Sequence, residues 1–250
     1  MSEKLPTEKL LSGRGLSVSY GGVKAVQNVD LEIEAGQVVG LIGPNGAGKT
    51  SLMDGMTGFA PLAGSLTVRG RELNGLRAHQ RRRAGISRTW QSVGIFDDLT
   101  VSENIAMAGT GLRSRQQVTE TLDRLGLTAV AHRLPGELSH GQRVLVGVAR
   151  ATIGDPDLVM MDEPAAGLGD DERAELIRVI REIVSRGAAV LLVDHDMDVV
   201  FEACDRISVL DFGVLIAEGT PTEIAQNPKV IAAYLGTKSA PEDVEGSLHD

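Results

Sequence analysis

One stretch constrains this chain more than any other: Gly43-Pro44-Asn45-Gly46-Ala47-Gly48-Lys49-Thr50, set between an apolar run and a helix-forming segment. Residues 38–42 are continuously apolar and of strand length, and residues 49–56 read as a helix. The loop fits G-x-x-x-x-G-K-[ST], and strand, glycine loop, helix is the context that this pattern requires. Its glycines let backbone N–H groups converge on phosphate oxygens. The helix behind it points its positive end at the same place. Lys49 is expected to neutralise the β- and γ-phosphates, and Thr50 to give its hydroxyl to Mg²⁺. The eight loop residues together with Ser51 form the candidate nucleotide seat.

A second signal supports the first. Leu158-Val159-Met160-Met161 is a buried-strand pattern that ends in Asp162-Glu163. In a phosphate-loop enzyme the first carboxylate holds Mg²⁺ through water, and the second polarises an attacking water. A third signal is Leu138-Ser139-His140-Gly141-Gln142, opening a helix. A Ser hydroxyl, a Gly N–H and a helix N-terminus make another anion site. Two phosphate binders in one chain suggest nucleotide clamped between two copies.

The rest of the chain alternates. Residues 16–20 and 24–29 flank a Gly21-Gly22 turn, a hairpin signal. Thr100 and Glu103 form a capping box, so a helix is expected from Val101. Further helices are expected over 114–125 and 140–153, making residues 92–154 a helical insertion between strands. Strands at 158–161 and 188–193, a helix over 170–186 and another ending near Cys204 follow. A hairpin over 206–218 turns at Phe212-Gly213, and Thr220 with Glu223 makes another capping box. This order argues for an α/β fold with a mainly parallel sheet covered on both faces. The segment after Gly236 is polar and acidic and is expected to be loose.

Composition narrows the function. The length of 250 residues suits one large domain or two small ones, and 42% apolar content is not that of a disordered chain. A net charge of −9 disfavours general nucleic-acid binding. Arg77, Arg81, Arg82, Arg83 and Arg88 form one basic cluster, read as a solvated helix face. The single cysteine, Cys204, permits no internal disulfide and reads as a small core residue. Apolar stretches such as 188–193 fall far short of the roughly 20 residues of a spanning helix. A soluble chain is expected, with any membrane role coming through a partner.

These motifs together resemble the ATP-binding subunits of ABC transporters, over about residues 10–236. The 138–142 segment resembles that family's signature motif. The resemblance implies a phosphate-loop NTPase core with an N-terminal antiparallel β subdomain, a helical subdomain inserted at about 92–154, and a polar acidic tail at 237–250. It implies ATP and Mg²⁺ as ligands, with Asp162 and Gln91 joining Thr50 at the metal. Glu163 matches the catalytic base, and His195 the histidine that contacts the γ-phosphate. Gln91 matches the glutamine that senses Mg²⁺ and the attacking water, and Tyr20 the aromatic that stacks on adenine. Ser139 and Gly141, with Gln142 beside them, would contact the nucleotide of the opposite protomer. One position departs from the family: six residues beyond the Glu, where an Asp is common, this chain has Gly169, with Asp170 next.

Several stretches are similar to the branched-chain amino-acid importers in particular: Arg88-Thr89-Trp90-Gln91 with Phe96, Leu99 to Asn104, Glu163-Pro164-Ala165-Ala166-Gly167-Leu168, Asp194-His195-Asp196-Met197, and Ala233-Tyr234-Leu235-Gly236. That resemblance implies a homodimer, or a heterodimer with a paralogous ATP-binding subunit, on the cytoplasmic face of the membrane. Two integral membrane permeases and an extracytoplasmic solute-binding protein would complete the system. Export-type lipid or lipopolysaccharide systems, which also use short single cassettes, and non-transport ABC ATPases are the alternatives.

Overall fold

The computed structural model describes residues 9–90, 94–108 and 115–236. Strands β1 (Lys9–Tyr20) and β2 (Val23–Glu34) form a long hairpin, followed by β3 (Val38–Ile42) and helix α1 (Lys49–Thr57). Then come β4 (Ala63–Val68), β5 (Arg71–Glu72), α2 (Ala78–Arg83) and β6 (Ile86–Arg88). Helices α3 (Val101–Ala106), α4 (Arg115–Arg124) and α5 (His140–Thr152) precede β7 (Leu158–Asp162). The chain continues through α6 (Asp170–Ser185), β8 (Ala189–Val193), α7 (Met197–Ala203), β9 (Arg206–Asp211) and β10 (Val214–Gly219). It ends in α8 (Pro221–Ala225) and α9 (Pro228–Gly236).

Among the described residues these strands make two sheets. An antiparallel sheet runs β2-β1-β4-β5, and a second runs β10-β9-β3-β8-β7-β6. In the second, β9, β3, β8, β7 and β6 are parallel, and β10 returns antiparallel on β9. Its central strands are apolar on both faces because both faces are covered. Val39, Leu41, Met160 and Leu191 pack with Leu52, Met53 and Met56 of α1 and with Leu16 and Val18 of the antiparallel sheet. Ile42, Val159, Met161 and Leu192 pack on the other side with Val146 of α5, Leu176 of α6 and Val199 of α7. Adjacent strand residues thus serve different cores.

Local signals set the helix starts. Thr100, Ser139 and Thr220 each accept a hydrogen bond from the backbone three residues on, and Glu103, Gln142 and Glu223 complete the boxes. The basic cluster is the solvated face expected of it only in part: Arg77 and Arg83 are exposed. Arg81 is buried and donates to the carbonyls of Gly55 (2.6 Å) and Met56 (2.9 Å), satisfying the C-terminal end of α1. Arg88 lies on β6 with its side chain buried against Asp54 and Asp162. Cys204 is buried, and its thiol is pushed up to about 12 by burial.

Candidate functional site

The C-terminal ends of β3, β7 and β8 bring the sequence-predicted residues to one edge of the sheet. The loop after β3 turns on glycines that no other residue could replace. Gly43 has φ 151, and a Cβ there would lie 2.1 Å from the carbonyl oxygen of Leu210. Gly48 has φ 100, and a Cβ there would lie 2.3 Å from the carbonyl oxygen of Ala25. The backbone on which the loop rests is itself tied down: Gly213 N–H donates to Ala47 (2.9 Å), and Gln27 N–H donates to Gly213 (2.8 Å). Lys49 Nζ donates to the carbonyls of Gly43 (2.7 Å) and Pro44 (3.1 Å), closing a ring over the loop. Burial lowers the Lys49 pKa, and the nearby charges of Glu163 and Asp162 oppose that. Asn45, Gly46 and Thr50 are exposed at the loop surface, while Pro44 and Ala47 are buried beneath it and Ser51 is half-buried.

Asp162 ends β7 with its side chain 1% exposed. Arg88 reaches it from the neighbouring β6 at 2.7 Å, and the same guanidinium also pairs with Asp54 of α1. Burial raises the Asp162 pKa against the pull of Arg88. Its Oδ1 is buried and has no hydrogen-bond partner, which suits an acceptor aimed at a cation or its water. Among the described residues no group of three or more His, Cys, Asp or Glu could hold a metal. The candidate donors are therefore the Thr50 hydroxyl and this carboxylate. A Mg²⁺ ion, which tolerates phosphate and water as most of its ligands, fits that set.

Glu163 follows with φ 49, left-handed backbone that a non-glycine residue seldom adopts. Its N–H bonds to Val193 at 2.7 Å, so the turn is anchored on β8. Asp194 follows that strand fully buried and accepts from the N–H groups of Ala165 (2.9 Å), His195 (2.8 Å) and Asp196 (3.0 Å). One carboxylate thereby fixes both the loop after Glu163 and the turn carrying His195, whose ring is exposed. Tyr20 stands 46% exposed at the end of β1. Gln91 lies outside the described residues.

The 138–142 segment leads into α5. Ser139 caps α5, and its hydroxyl and the Gly141 N–H both point to Glu172 of α6, at 3.0 and 2.9 Å. The Gln142 side chain accepts from the Ser139 N–H at 3.0 Å, so it serves the cap. Sequence reasoning passed over Glu172 and Asp54, and gave Asp194 and Arg88 no role beyond their places in family-like stretches and, for Arg88, in a basic face. For Arg88, no local signal in Ile86-Ser87-Arg88 marks it as an ion-pair partner. For Glu172, it was the third position of a helix, where a capping carboxylate belongs.

The layered sheet with a glycine loop at its strand ends defines a phosphate-loop ATPase class, and sequence comparison specifies it. Residues 26–166 match the ABC transporter family model, and residues 214–240 match the model for branched-chain amino acid ATP-binding cassette transporters. The high-affinity branched-chain amino acid transport ATP-binding protein LivG of Salmonella typhimurium is 41% identical over 252 residues, covering 92% of this chain and 99% of LivG. BraF of Pseudomonas aeruginosa, described in the same words, is 39% identical over 249 residues, covering 91% and 98%. The crystal structure of an ATP-binding cassette of an ABC transporter in its ADP conformation superposes with a TM-score of 0.84 at 28% identity, covering 92% of this chain and all of that one. The chain belongs to the ATP-binding subunits of ABC transporters and is an ATPase of that family.

Proposed function

We propose that this ATPase powers import of branched-chain amino acids or related small polar solutes through two membrane permeases, fed by an extracytoplasmic binding protein. The observation that carries the reading is the match of residues 214–240 to the branched-chain cassette model, on top of near full-length likeness to LivG. The working unit is residues 10–236, with the helical part at about 92–154, acting as a pair at the cytoplasmic face of the membrane. Among the described residues no helix is long and apolar enough to cross a membrane, which supports attachment through the permeases.

The geometry supports the following course of hydrolysis. Lys49 leaves the Gly43 and Pro44 carbonyls and takes the β- and γ-phosphates, while Tyr20 stacks on adenine. Thr50 and Asp162, with Gln91, would hold Mg²⁺, which would neutralise developing phosphate charge. Glu163 accepts a proton from water as its oxygen attacks the γ-phosphorus and the bond to the β-phosphate oxygen breaks. His195 contacts the γ-phosphate from the next strand. Ser139 and Gly141 meet that phosphate from the opposite protomer.

A groove supports the permease role. Phe59, Trp90, Phe96 and Met107 are exposed around it, between the sheet core and the inserted helices. Phe59 and Trp90 meet edge to face at 4.9 Å, and Arg88 and Arg150 stack on Trp90 and Phe96. An apolar patch rimmed by arginines suits a short amphipathic helix of a permease loop. The test is uptake of labelled leucine, isoleucine and valine by vesicles carrying the purified permeases, this chain and the binding protein. ATP-dependent uptake that Glu163→Gln abolishes is expected. An ATPase that pairs with these permeases yet moves none of the three would end the branched-chain assignment.

A further inference from the structure

Glu172 occupies a position that its own helix does not explain. It is the third residue of α6 and reaches back to the Gly169 N–H only at 3.4 Å, through one oxygen. Its other oxygen accepts both the Ser139 hydroxyl and the Gly141 N–H. Those donors, at the N-terminal end of the 13-residue helix α5, are the ones an incoming γ-phosphate oxygen would take. Contact is close enough to dictate sequence: a Cβ at Gly141 would lie 2.6 Å from the Glu172 carboxylate. The Glu172 carboxyl is held below the usual carboxylate range, first by the Gly141 N–H and then by Ser139, so it stays ionised at neutral pH.

We propose that Glu172 is a displaceable internal occupant of the Ser139–Gly141 seat, which ATP-driven pairing of two chains must evict. The proposal rests on the reading that this seat receives the γ-phosphate of the opposite protomer. A carboxylate and a phosphate cannot share two donors, because like charges at hydrogen-bond separation repel strongly in a partly dry interface. Eviction needs little of the fold. The side chain is half-exposed and flexible, and α6 keeps Asp170 and Asp171 in its first turn to complement its dipole. The consequence reaches beyond Ser139. Glu172 also touches Gly169, where the loop after Glu163 ends, so its release frees the start of α6 as the phosphate arrives. It thereby links occupancy of the signature seat to the segment leading back to the candidate base, and it holds the seat filled until a nucleotide competes.

The test uses the full chain in a Glu163→Gln background, where turnover does not drain the closed pair. ATP-dependent self-association is followed by light scattering across an ATP titration. Glu172→Ala removes the competitor and its charge-assisted hydrogen bonds, so half-maximal association is expected at about ten-fold lower ATP. Glu172→Gln keeps an acceptor but not the charge and is expected to fall between the two; it decides the matter if thermal melts show Glu172→Ala misfolded. A midpoint that is unchanged or raised by both substitutions overturns the proposal, as does association absent with and without Glu172. Ser139→Ala separates the two layers: it is expected to weaken association, and if association is unaffected, the seat does not receive phosphate and the proposal falls with that reading.

Discussion

In the loop before Lys49, Gly43 and Gly48 stand at positive φ against fixed backbone, the carbonyls of Leu210 and Ala25. At Ser139 to Gly141 the backbone is an ordinary helix start, and what presses on Gly141 is the end of a side chain. The first candidate anion seat is wedged into a sheet edge, roofed by Lys49, and backed by Asp162 in a buried ion pair. The second lies at the start of α5, is capped by the hydroxyl of the exposed Ser139, and holds a carboxylate that can swing away. The contrast assigns them different duties. A seat fixed by main chain pre-positions charge for chemistry at no reorganisation cost. A seat filled by a mobile side chain responds to what approaches it.

The largest effect expected is on chemistry at the rigid seat. Glu163→Gln should still bind ATP and should pair, while phosphate release falls about 10²–10⁴-fold, the range for losing a general base. Stopped-flow phosphate detection alongside nucleotide titration reads both. Wild-type turnover would remove Glu163 from its assigned role and leave its left-handed backbone without a catalytic account.

Next comes the ion pair beneath that seat. Arg88→Met leaves Asp162 buried without its partner, and urea unfolding should show a loss of about 3 kcal/mol. Arg88→Lys should recover little of it, because one planar guanidinium spans Asp54 and Asp162 and a single ammonium cannot. Unchanged stability in Arg88→Met would mean that the rigid seat owes nothing to this bridge.

A paired substitution tests the comparison itself. Gly43→Ala drives a Cβ into a main-chain carbonyl at a disfavoured φ, which should cost about 3 kcal/mol and abolish ATP binding. Gly141→Ala meets only the flexible Glu172 carboxylate and should cost below about 1 kcal/mol in a thermal melt. Equal losses at the two glycines would show that the second seat is as fixed as the first.

How much of this was legible in the sequence depends on range. The loop over 43–50, the apolar strands at 38–42 and 158–162, and the helices begun by Thr100, Ser139 and Thr220 all carry their signals within a few neighbouring residues. Strands β4 to β6 and helix α2 did not stand out. Ala63–Val68 is extended because it pairs with β1, about fifty positions earlier, and Arg81 is buried because it finds the carbonyls ending α1. Likewise Arg88 meets Asp162 across 74 positions, and Glu172 meets Ser139 across 33. A sequence names the charges in such pairs but not their partners, since topology alone brings them together.

The smallest expected effect also concerns the rigid seat. Tyr234, on the last helix, packs its ring against the core with its hydroxyl near the Gly43 backbone. Burial raises the Tyr234 pKa and the Gly43 backbone opposes it, so the hydroxyl stays neutral at physiological pH. Tyr234 lies within the 214–240 segment that matches the branched-chain cassette model, so the feature that marks the subfamily also touches the phosphate loop. Tyr234→Phe keeps the ring and deletes the acceptor, and ATP affinity should weaken by about 1 kcal/mol, several-fold. Isothermal titration of the Glu163→Gln chain, with and without Tyr234→Phe, isolates binding from turnover. A several-fold loss with an unchanged melting temperature would make the C-terminal helix a brace of the loop. Unchanged affinity would mean that the main-chain contacts to Leu210, Ala25 and Gly213 hold the loop by themselves, and that the helix contributes packing alone.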